Sequence, residues 1–269
     1  MTAAGIRPPA VAGLFYPASP SVLRSTVEEL LRAVPTSPSA RPPKALLAPH
    51  AGYRYSGPIA ASAFAPLRDA AALRVVLLGP SHRVPFTGLA LPGATAFATP
   101  LGEVAVDAEL AAAVGALPQV LTLPEAHAEE HALEVELPFL QLLLPRFTLL
   151  PLVVGEAEPD TVANVLERVW GGPETLVVVS SDLSHYLHRD AARRMDRDTI
   201  ERVLRLDGPL SPQQACGARP LSGLLVAARR HDLVADLLDL RNSADTAGDP
   251  QRVVGYAAVA FREPARAPA

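Results

Sequence analysis

The chain has 269 residues, of which 49% are hydrophobic, 28 are proline and one is cysteine, and its formal net charge is −4. A chain of this length can bury a substantial core, so we expect residues 1–269 to form a single α/β domain. The acidic balance, and the lack of basic runs interleaved with aromatic residues, argue against a nucleic-acid groove. The apolar runs are too short for a membrane span or a signal peptide, and a lone cysteine is typical of a reducing compartment. We therefore expect a cytoplasmic protein without membrane contacts.

In chain order, short apolar runs alternate with segments of helical periodicity. Helices are predicted over 21–34, 58–67, 107–114, 127–144 with an interruption at Pro138, 159–170, 189–205, 212–216 and 219–231. Strands are predicted over 45–48, 75–79, 89–91, 103–106, 147–154, 176–179, 234–240 and 253–261. This alternation predicts a three-layer α/β sandwich with a central mixed, mostly parallel sheet.

Three of the predicted strands run into a histidine. His50 follows the strand over 45–48, His82 follows that over 75–79, and His185 follows that over 176–179, with Asp182 between. Open α/β sheets bind their ligands at the carboxyl ends of their strands, so these four side chains are candidates for one shared site. Imidazoles bind divalent metals and transfer protons, and a carboxylate can orient a ligand. The pattern predicts a metal site or a proton-transfer site.

The single cysteine, Cys216, has two interpretations. A lone cysteine is commonly a small, inert, buried hydrophobic residue. Here Gly217 allows close approach of the backbone and Arg219 would favour a thiolate, so a role as a metal ligand stays open. Two histidines and a thiolate would suit iron, copper or zinc better than magnesium.

A further pattern, His127-Ala128-Glu129-Glu130-His131, has the form H-x-x-E-H of inverted zinc peptidases. On one helix, His127 and His131 could bind zinc while Glu130 acts as the base. The pattern is short and follows Pro124 at a loop-to-helix junction, where glutamates also complement the helix dipole. His131 alone could face the strand-end site as a proton donor or as support for its ligands. Tyr53, which follows His50 closely, could pack there or hydrogen-bond a substrate.

Taken together, six ordered segments resemble the Memo family (mediator of ErbB2-driven cell motility), whose prokaryotic members are called AmmeMemoRadiSam system protein B. The segments are VAGLFYP at 11–17, PHAGY at 49–53, GPSH at 79–82, EHALEVELPF at 130–139, SSDLSH at 180–185 and ACG at 215–217. They span nearly the whole chain in the family's order. The prokaryotic family name further implies a functional link to radical-SAM and AMMECR1-type proteins.

The resemblance implies a fold similar to class III extradiol dioxygenases, which are non-haem iron enzymes that cleave aromatic diols. It also implies a metal site with His50, His82 and Cys216 as ligands, with Asp182 beside it and His185 placed like the acid/base histidine of the dioxygenases. Those enzymes hold their metal with two histidines and a glutamate, so the thiolate changes which metal is preferred, and extradiol cleavage does not simply carry over.

Two hypotheses follow. In the first, the protein is a metal-dependent redox enzyme that holds iron(II), copper or zinc, with His185 oriented by Asp182 to transfer protons. In the second, it is a binding module on a catalytic fold, which takes a metal or a peptide without turnover.

Overall fold

Seven of the eight segments that the sequence assigns to strands lie in a nine-stranded sheet in the computed structural model, which describes residues 5–35, 42–68, 70, 74–144 and 146–264. The eighth segment, 103–106, lies in a small separate sheet. The strands are β1 (Ile6–Arg7), β2 (Ala45–Ala48), β3 (Arg74–Pro80), β4 (Leu89–Leu91), β5 (Ala96–Thr99), β6 (Gly102–Ala105), β7 (Val120–Thr122), β8 (Thr148–Val154), β9 (Thr175–Ser180), β10 (His185–Leu187), β11 (Val234–Asn242) and β12 (Val253–Arg262). The helices are α1 (Pro20–Ala33), α2 (Tyr53–Phe64), α3 (Ala108–Gly115), α4 (Glu125–Ala128), α5 (Leu137–Leu143), α6 (Pro159–Arg168), α7 (Arg189–Leu204) and α8 (Ala218–Arg230).

The centre of the large sheet is parallel and its margins are largely antiparallel. The strand order is β10-β12-β2-β9-β3-β8-β4-β7, with β11 paired to β12. Strands β2, β9, β3 and β8 are parallel neighbours, so their carboxyl ends meet at one edge of the sheet. Strand β12 pairs antiparallel with β2, β10 and β11, and β4 pairs antiparallel with β8.

Two hydrophobic cores cover the two faces of this sheet. Alternate side chains of a strand point to opposite faces. In β2, Leu46 and Ala48 pack in the core that includes residues of α1, α2 and α5, whereas Ala45 and Leu47 pack in the core that includes residues of α6, α7 and α8. Helix, sheet and helix are therefore stacked as three layers, which confirms the predicted α/β sandwich.

The amino-terminal arm, residues 5–17, lies across one end of the α1–α2–α5 layer. Its strand β1 forms a small separate sheet with β5 and β6. The fully buried carboxylate of Glu134 holds the arm: it pairs with Arg7, accepts the Tyr16 hydroxyl, and accepts the backbone N–H groups of Ala10 at 2.7 Å and Val11 at 3.0 Å. The arm in turn holds the start of α2, where the Tyr53 N–H donates to the Phe15 carbonyl at 2.8 Å.

Three predicted helices differ from the structure. The first, α2, begins at Tyr53 and not at 58, because the Phe15 carbonyl accepts the N–H of its first residue. Pro58 therefore lies inside the helix. The segment over 127–144 is not one helix. It is divided into α4, a 3₁₀ turn over 134–136 and α5, and Pro138 lies in the first turn of α5 instead of interrupting a longer helix. Residues 212–216 form turns. Within the described part of the chain, no helix is long and apolar enough to cross a membrane.

Candidate metal centre

The candidate site lies at the carboxyl ends of the three adjacent strands β2, β9 and β3. His50 follows β2, Asp182 follows β9 and His82 follows β3. Because these strands are parallel neighbours, the three residues are delivered to the same edge of the sheet, as the sequence pattern predicts.

Three imidazoles meet at this edge. One ring nitrogen from each of His50, His82 and His131 lies within 4.8 Å of the other two, and they form a potential three-histidine metal site. The His50 ring is nearly perpendicular to the other two, at 82° to His82 with centroids 5.2 Å apart and at 90° to His131 with centroids 5.4 Å apart. The rings of His82 and His131 are stacked, with centroids 4.7 Å apart and 19° between their planes. His131, expected beside the ligands, is thus part of the cluster itself.

His50 is anchored at both its backbone and its ring. Its N–H donates to the Asp182 carboxylate at 2.9 Å, and its Nδ1 lies 2.8 Å from the Ser180 hydroxyl at the end of β9. The ring is fully buried, and burial, followed by the charges of His82, His131 and His185, holds its pKa well below the ordinary value. With Nδ1 engaged, Nε2 is the nitrogen of His50 that faces the site.

His82 is anchored by Glu130. Its Nδ1 lies 2.9 Å from Glu130 Oε1, and its backbone N–H donates to Glu130 Oε2 at 2.7 Å. Burial alone would raise the pKa of Glu130, but the hydrogen bonds and charge of His82, together with the backbone N–H of Ala132, outweigh it, so that the pKa is lowered. A carboxylate that binds the remote nitrogen of an imidazole fixes its orientation and raises its basicity as a ligand. His82 therefore also turns Nε2 to the site.

His131 is held less firmly. Its Nδ1 lies 3.4 Å from Glu130 Oε1, and its ring packs against Phe15 of the amino-terminal arm, with centroids 4.8 Å apart. Burial lowers the pKa of His131 to about 4. Its side chain is 15% exposed and that of His82 is 27% exposed, whereas His50 is 1% exposed, so the site opens on the side of His82 and His131.

Cys216 contacts His50 but lies outside the three-histidine group. Its sulfur lies 3.3 Å from His50 Nε2 and accepts the Asp182 backbone N–H at 3.3 Å. This approach requires glycine at position 217, where a Cβ would lie 2.6 Å from the side chain of Ser181. Burial, and then the nearby Asp182 carboxylate, raise the pKa of the Cys216 thiol to about 12.

Asp182 and His185 have separate hydrogen-bond partners. The Asp182 carboxylate accepts the backbone N–H groups of His50 and Ala51, and burial raises its pKa to about 7. The His185 ring instead hydrogen-bonds the backbone of Leu183, and burial lowers its pKa. Asp182 therefore holds the loop that carries His50, and the expected hydrogen bond by which Asp182 would orient His185 is replaced by one between His185 and the backbone of Leu183.

Tyr53 packs beside the site with its hydroxyl already engaged. The ring is buried at the start of α2, and the hydroxyl donates to the Val135 carbonyl at 2.8 Å. The contact fastens α2 to the segment that carries His131 and Glu130.

The zinc-peptidase interpretation of the H-x-x-E-H pattern is wrong for this chain. The helix α4 that contains His127 ends at Ala128, so His127 and His131 do not share a helical face. The buried His127 ring lies 2.8 Å from the Ala90 carbonyl through Nε2, and Glu130 is bound to His82. The glutamate of the pattern thus supports a histidine of a different segment.

Sequence reasoning missed two supports of the imidazoles. In the sequence, Ser180 is noted only as part of the SSDLSH segment, although a hydroxyl at the carboxyl end of β9 is well placed to reach a neighbouring strand. The sequence pattern suggests Glu130 as a peptidase base or as a charge that complements a helix dipole, and not as a partner of His82. The signal for its role was its position next to His131, but its bond to His82 joins residues 48 positions apart and has no local pattern.

The chain is similar to known proteins over nearly its whole length. Residues 7–260 match the family model described as Memo-like protein. A MEMO1 family protein of Methanothermobacter thermautotrophicus is 36% identical, over 94% of this chain and 99% of the relative. Similar relatives occur in Methanopyrus kandleri, at 37% over 95% and 99%, and in Archaeoglobus fulgidus, at 36% over 96% and 100%. The chain belongs to the Memo-like family, and the resemblance drawn from its motifs is confirmed.

Proposed function

We propose that this protein binds a mononuclear transition metal through Nε2 of His50, Nε2 of His82 and Sγ of Cys216, and that the centre serves oxidoreductase chemistry of a dioxygenase-like kind. The observation that carries this is the pair of imidazoles whose Nδ1 atoms are engaged by Ser180 and Glu130, with a sulfur 3.3 Å from one of the free Nε2 atoms. Such remote-nitrogen anchoring is typical of metal-binding histidines.

The ring planes favour Cys216 over His131 as the third ligand. An imidazole nitrogen binds a metal through a lone pair in the plane of its ring. The stacked rings of His82 and His131 direct their lone pairs into nearly parallel planes, so one ion does not lie in both planes unless a ring turns. His50 is nearly perpendicular to His82 and already contacts the sulfur, so Cys216 would complete the ligand set from the side of His50, although the ring nitrogens that lie within 4.8 Å of one another are those of the three histidines.

The donor set fits the metals proposed. Two imidazoles and a thiolate are borderline to soft ligands, which suit iron(II), copper or zinc and not magnesium or calcium. When bound, iron(II) or copper would supply one-electron chemistry with oxygen at its open positions. We take iron(II) as the first candidate, with copper or zinc as alternatives.

The neighbouring residues would serve this centre in distinct ways. Asp182 holds the His50 loop through two backbone N–H groups, which fixes the imidazole before any ligand arrives. His185 lies close enough to the cluster for the charge of His82 to lower its pKa. The imidazole of His185 would accept a substrate proton and return it. His131 lies on the exposed side and would face the substrate.

Metal content tests the ligand set. Protein purified without air should contain about one metal ion per chain, His82→Ala and Cys216→Ser should lose it, and His131→Ala should keep it. With cobalt(II) as the probe, a sulfur-to-cobalt charge-transfer band should appear in the wild type and in His131→Ala and be absent from Cys216→Ser. Unchanged metal content in both His82→Ala and Cys216→Ser would exclude the centre. Loss in His131→Ala with retention in Cys216→Ser would assign it to three histidines.

Turnover separates the enzyme from a binding module. Metal-loaded protein supplied with oxygen and a panel of catechols should consume oxygen, and His185→Ala should slow that consumption while leaving the metal bound. Stoichiometric metal without turnover on any compound would favour a protein that binds a metal or a peptide. We place this activity in the cytoplasm, on a single domain spanning 1–269. We further propose a functional link to radical-SAM and AMMECR1-type proteins.

A further inference from the structure

The Ser180 hydroxyl lies at the centre of a buried hydrogen-bond network behind His50. Its oxygen is 2.8 Å from His50 Nδ1, 2.7 Å from Glu136 Oε1 and 2.7 Å from the Ala132 carbonyl oxygen. Ser180 and Glu136 are fully buried and His50 is 1% exposed, so water does not compete for these contacts. Every proton in the network must therefore come from the four groups themselves.

Counting those protons fixes the direction of each bond. A serine hydroxyl has one proton to donate and two lone pairs to accept with. If His50 uses Nε2 for a metal, its proton lies on Nδ1 and is donated to Ser180. The Ala132 carbonyl can only accept, so the Ser180 proton goes there. The remaining contact, with Glu136, is then satisfied only if the carboxyl group of Glu136 carries a proton and donates it to Ser180.

The opposite arrangement leaves two groups unsatisfied. If Ser180 donated to an ionised Glu136, the Ala132 carbonyl would lie 2.7 Å from an oxygen with no proton to share. Glu136 Oε2 has no hydrogen-bond partner among the described residues, so an anion there would be buried with only one donor. Leaving a buried charge poorly paired is costly, and carboxyl groups in such places are usually protonated.

The surroundings of Glu136 also favour its protonated, uncharged form. Among the described residues, the charged or titratable groups that influence the pKa of Glu136 are the Asp182 carboxylate and the Tyr53 phenol, and neither is a cation. Burial, and then Asp182, raise the pKa of Glu136 well above its ordinary value, and the Ser180 hydrogen bond opposes this only in part.

We propose that Glu136 is a positioning residue: an uncharged carboxylic acid that donates to Ser180 and thereby keeps the proton of His50 on Nδ1 and its Nε2 free for a metal. This inference rests on the proposed metal centre for its purpose, although the network itself exists without a metal. It also makes the two imidazole ligands unequal. His82 is backed directly by the carboxylate of Glu130, whereas His50 is backed by a neutral hydroxyl.

Infrared spectroscopy of the metal-free protein tests the protonated carboxyl directly. With ¹³C-labelled glutamate, measured at about pH 8 so that Asp182, with a pKa of about 7, is ionised, a protonated glutamate carbonyl band should be present. It should vanish in Glu136→Gln and persist in Glu28→Gln, a change at an exposed position of α1 that serves as the control. No such band in the wild type, or a band that survives in Glu136→Gln, would overturn the proposal.

Metal affinity and the His50 tautomer test the positioning role. Glu136→Gln keeps a donor, because its amide N–H can replace the carboxyl O–H, so zinc affinity should stay within about threefold. Glu136→Met keeps the volume but loses the donor, and zinc affinity should fall roughly tenfold, the lower end of the range for supports of metal ligands. Nitrogen-15 spectra of the histidines should show His50 protonated on Nδ1 in the wild type and in Glu136→Gln and a mixture of tautomers in Glu136→Met.

The outcomes separate this inference from the proposed function. A wild-type protein that binds no metal, yet shows the glutamate band and the single His50 tautomer, would reject the metal centre and keep the network. A protein that binds metal equally well in Glu136→Gln and Glu136→Met, with an unchanged His50 tautomer in both, would keep the centre and reject Glu136 as a positioning residue.

Discussion

Glu134 and Glu136 are two residues apart, both are fully buried, and their surroundings are opposite. The Glu134 carboxylate receives four donors: the Arg7 guanidinium, the Tyr16 hydroxyl and the backbone N–H groups of Ala10 and Val11. Glu136 has only the Ser180 hydroxyl on one oxygen and no partner on the other among the described residues. All four partners of Glu134 supply protons, so it needs none of its own, whereas Glu136 must supply one.

The difference shows that partners, not residue type or burial, decide what a buried glutamate does. Glu134 acts as an anion that fastens the amino-terminal arm to the body, and Glu136 as a neutral donor behind His50. Glu130, the third buried glutamate of the same stretch, holds His82 through its ring and backbone. One segment without a long helix thus supports both the arm and the candidate metal centre.

The largest effect is expected from removing the charge that fastens the arm. Glu134→Ala leaves the Arg7 guanidinium buried without its partner, and breaking a buried ion pair from one side typically costs about 3–5 kcal/mol. We expect a loss of this size in the free energy of unfolding, measured by urea denaturation. A loss below about 1 kcal/mol, within the range of an exposed ion pair, would mean that the arm is not held by this carboxylate.

The pH dependence of stability in Glu136→Gln should show that Glu136, unlike Glu134, is uncharged in the folded protein. Because the pKa of Glu136 is raised in the folded protein, its contribution to stability is complete below the unfolded pKa of about 4.3 and is lost as the pH rises towards the folded pKa. The glutamine does not titrate. The metal-free variant should therefore gain stability relative to the wild type above about pH 4.3, by at most about 1.4 kcal/mol per pH unit.

Denaturation of both proteins at several values between about pH 4 and pH 7 measures this difference. A difference that stays constant over the range, or that falls as the pH rises, would show that Glu136 is ionised in the folded protein and that it resembles Glu134 after all.

Glu130 should affect metal binding more than folding. Glu130→Gln replaces the carboxylate on His82 Nδ1 by an amide, and loss of such support typically lowers metal affinity roughly 10- to 100-fold. Competition with a chelator measures the affinity, and Glu129→Gln, at the exposed neighbouring position, should be unchanged. Equal affinities in the two variants would leave His82 without the proposed support.

The parts of this molecule that sequence predicts well are those whose signal is local. The runs over 45–48, 75–79 and 176–179 are apolar because both faces of the central sheet are covered, and a histidine or an aspartate follows each run within three residues. That is why His50, His82 and Asp182 could be placed at one edge before any coordinates. Four short strands, β1, β5, β7 and β10, are not predicted from the sequence, because each is defined by its pairing with another segment (β1 with β5, β7 with β4, β10 with β12) and not by a local apolar run.

The segment around residues 129–136 was predicted least well because its conformation is set by distant partners. Glu134 is fixed by the arm more than 100 residues earlier, and Glu130 by His82. The apolar spacing of Leu133, Leu137 and Leu140 predicts a helix, but those side chains are equally buried by a 3₁₀ turn followed by a short helix. Hydrophobic periodicity does not report such polar contacts, so the roles of the three glutamates required the structure.

The smallest effect is expected from removing the hydroxyl groups of two tyrosines, Tyr16 and Tyr53, that pack in the same hydrophobic core. The rings of Tyr16 and Tyr53 are 5.7 Å apart, and both hydroxyls are engaged, that of Tyr16 by the Glu134 carboxylate and that of Tyr53 by the Val135 carbonyl. Hydrogen bonds to charged groups contribute about 1.5–3 kcal/mol and those between neutral groups about 0.5–1.5 kcal/mol. Tyr16→Phe should therefore destabilise the protein by roughly 1 kcal/mol more than Tyr53→Phe in the same urea titration. Equal losses would mean that Glu134 is as well satisfied by three donors as by four, and the contrast with the sparsely bonded Glu136 would then rest on Arg7 and the two backbone N–H groups.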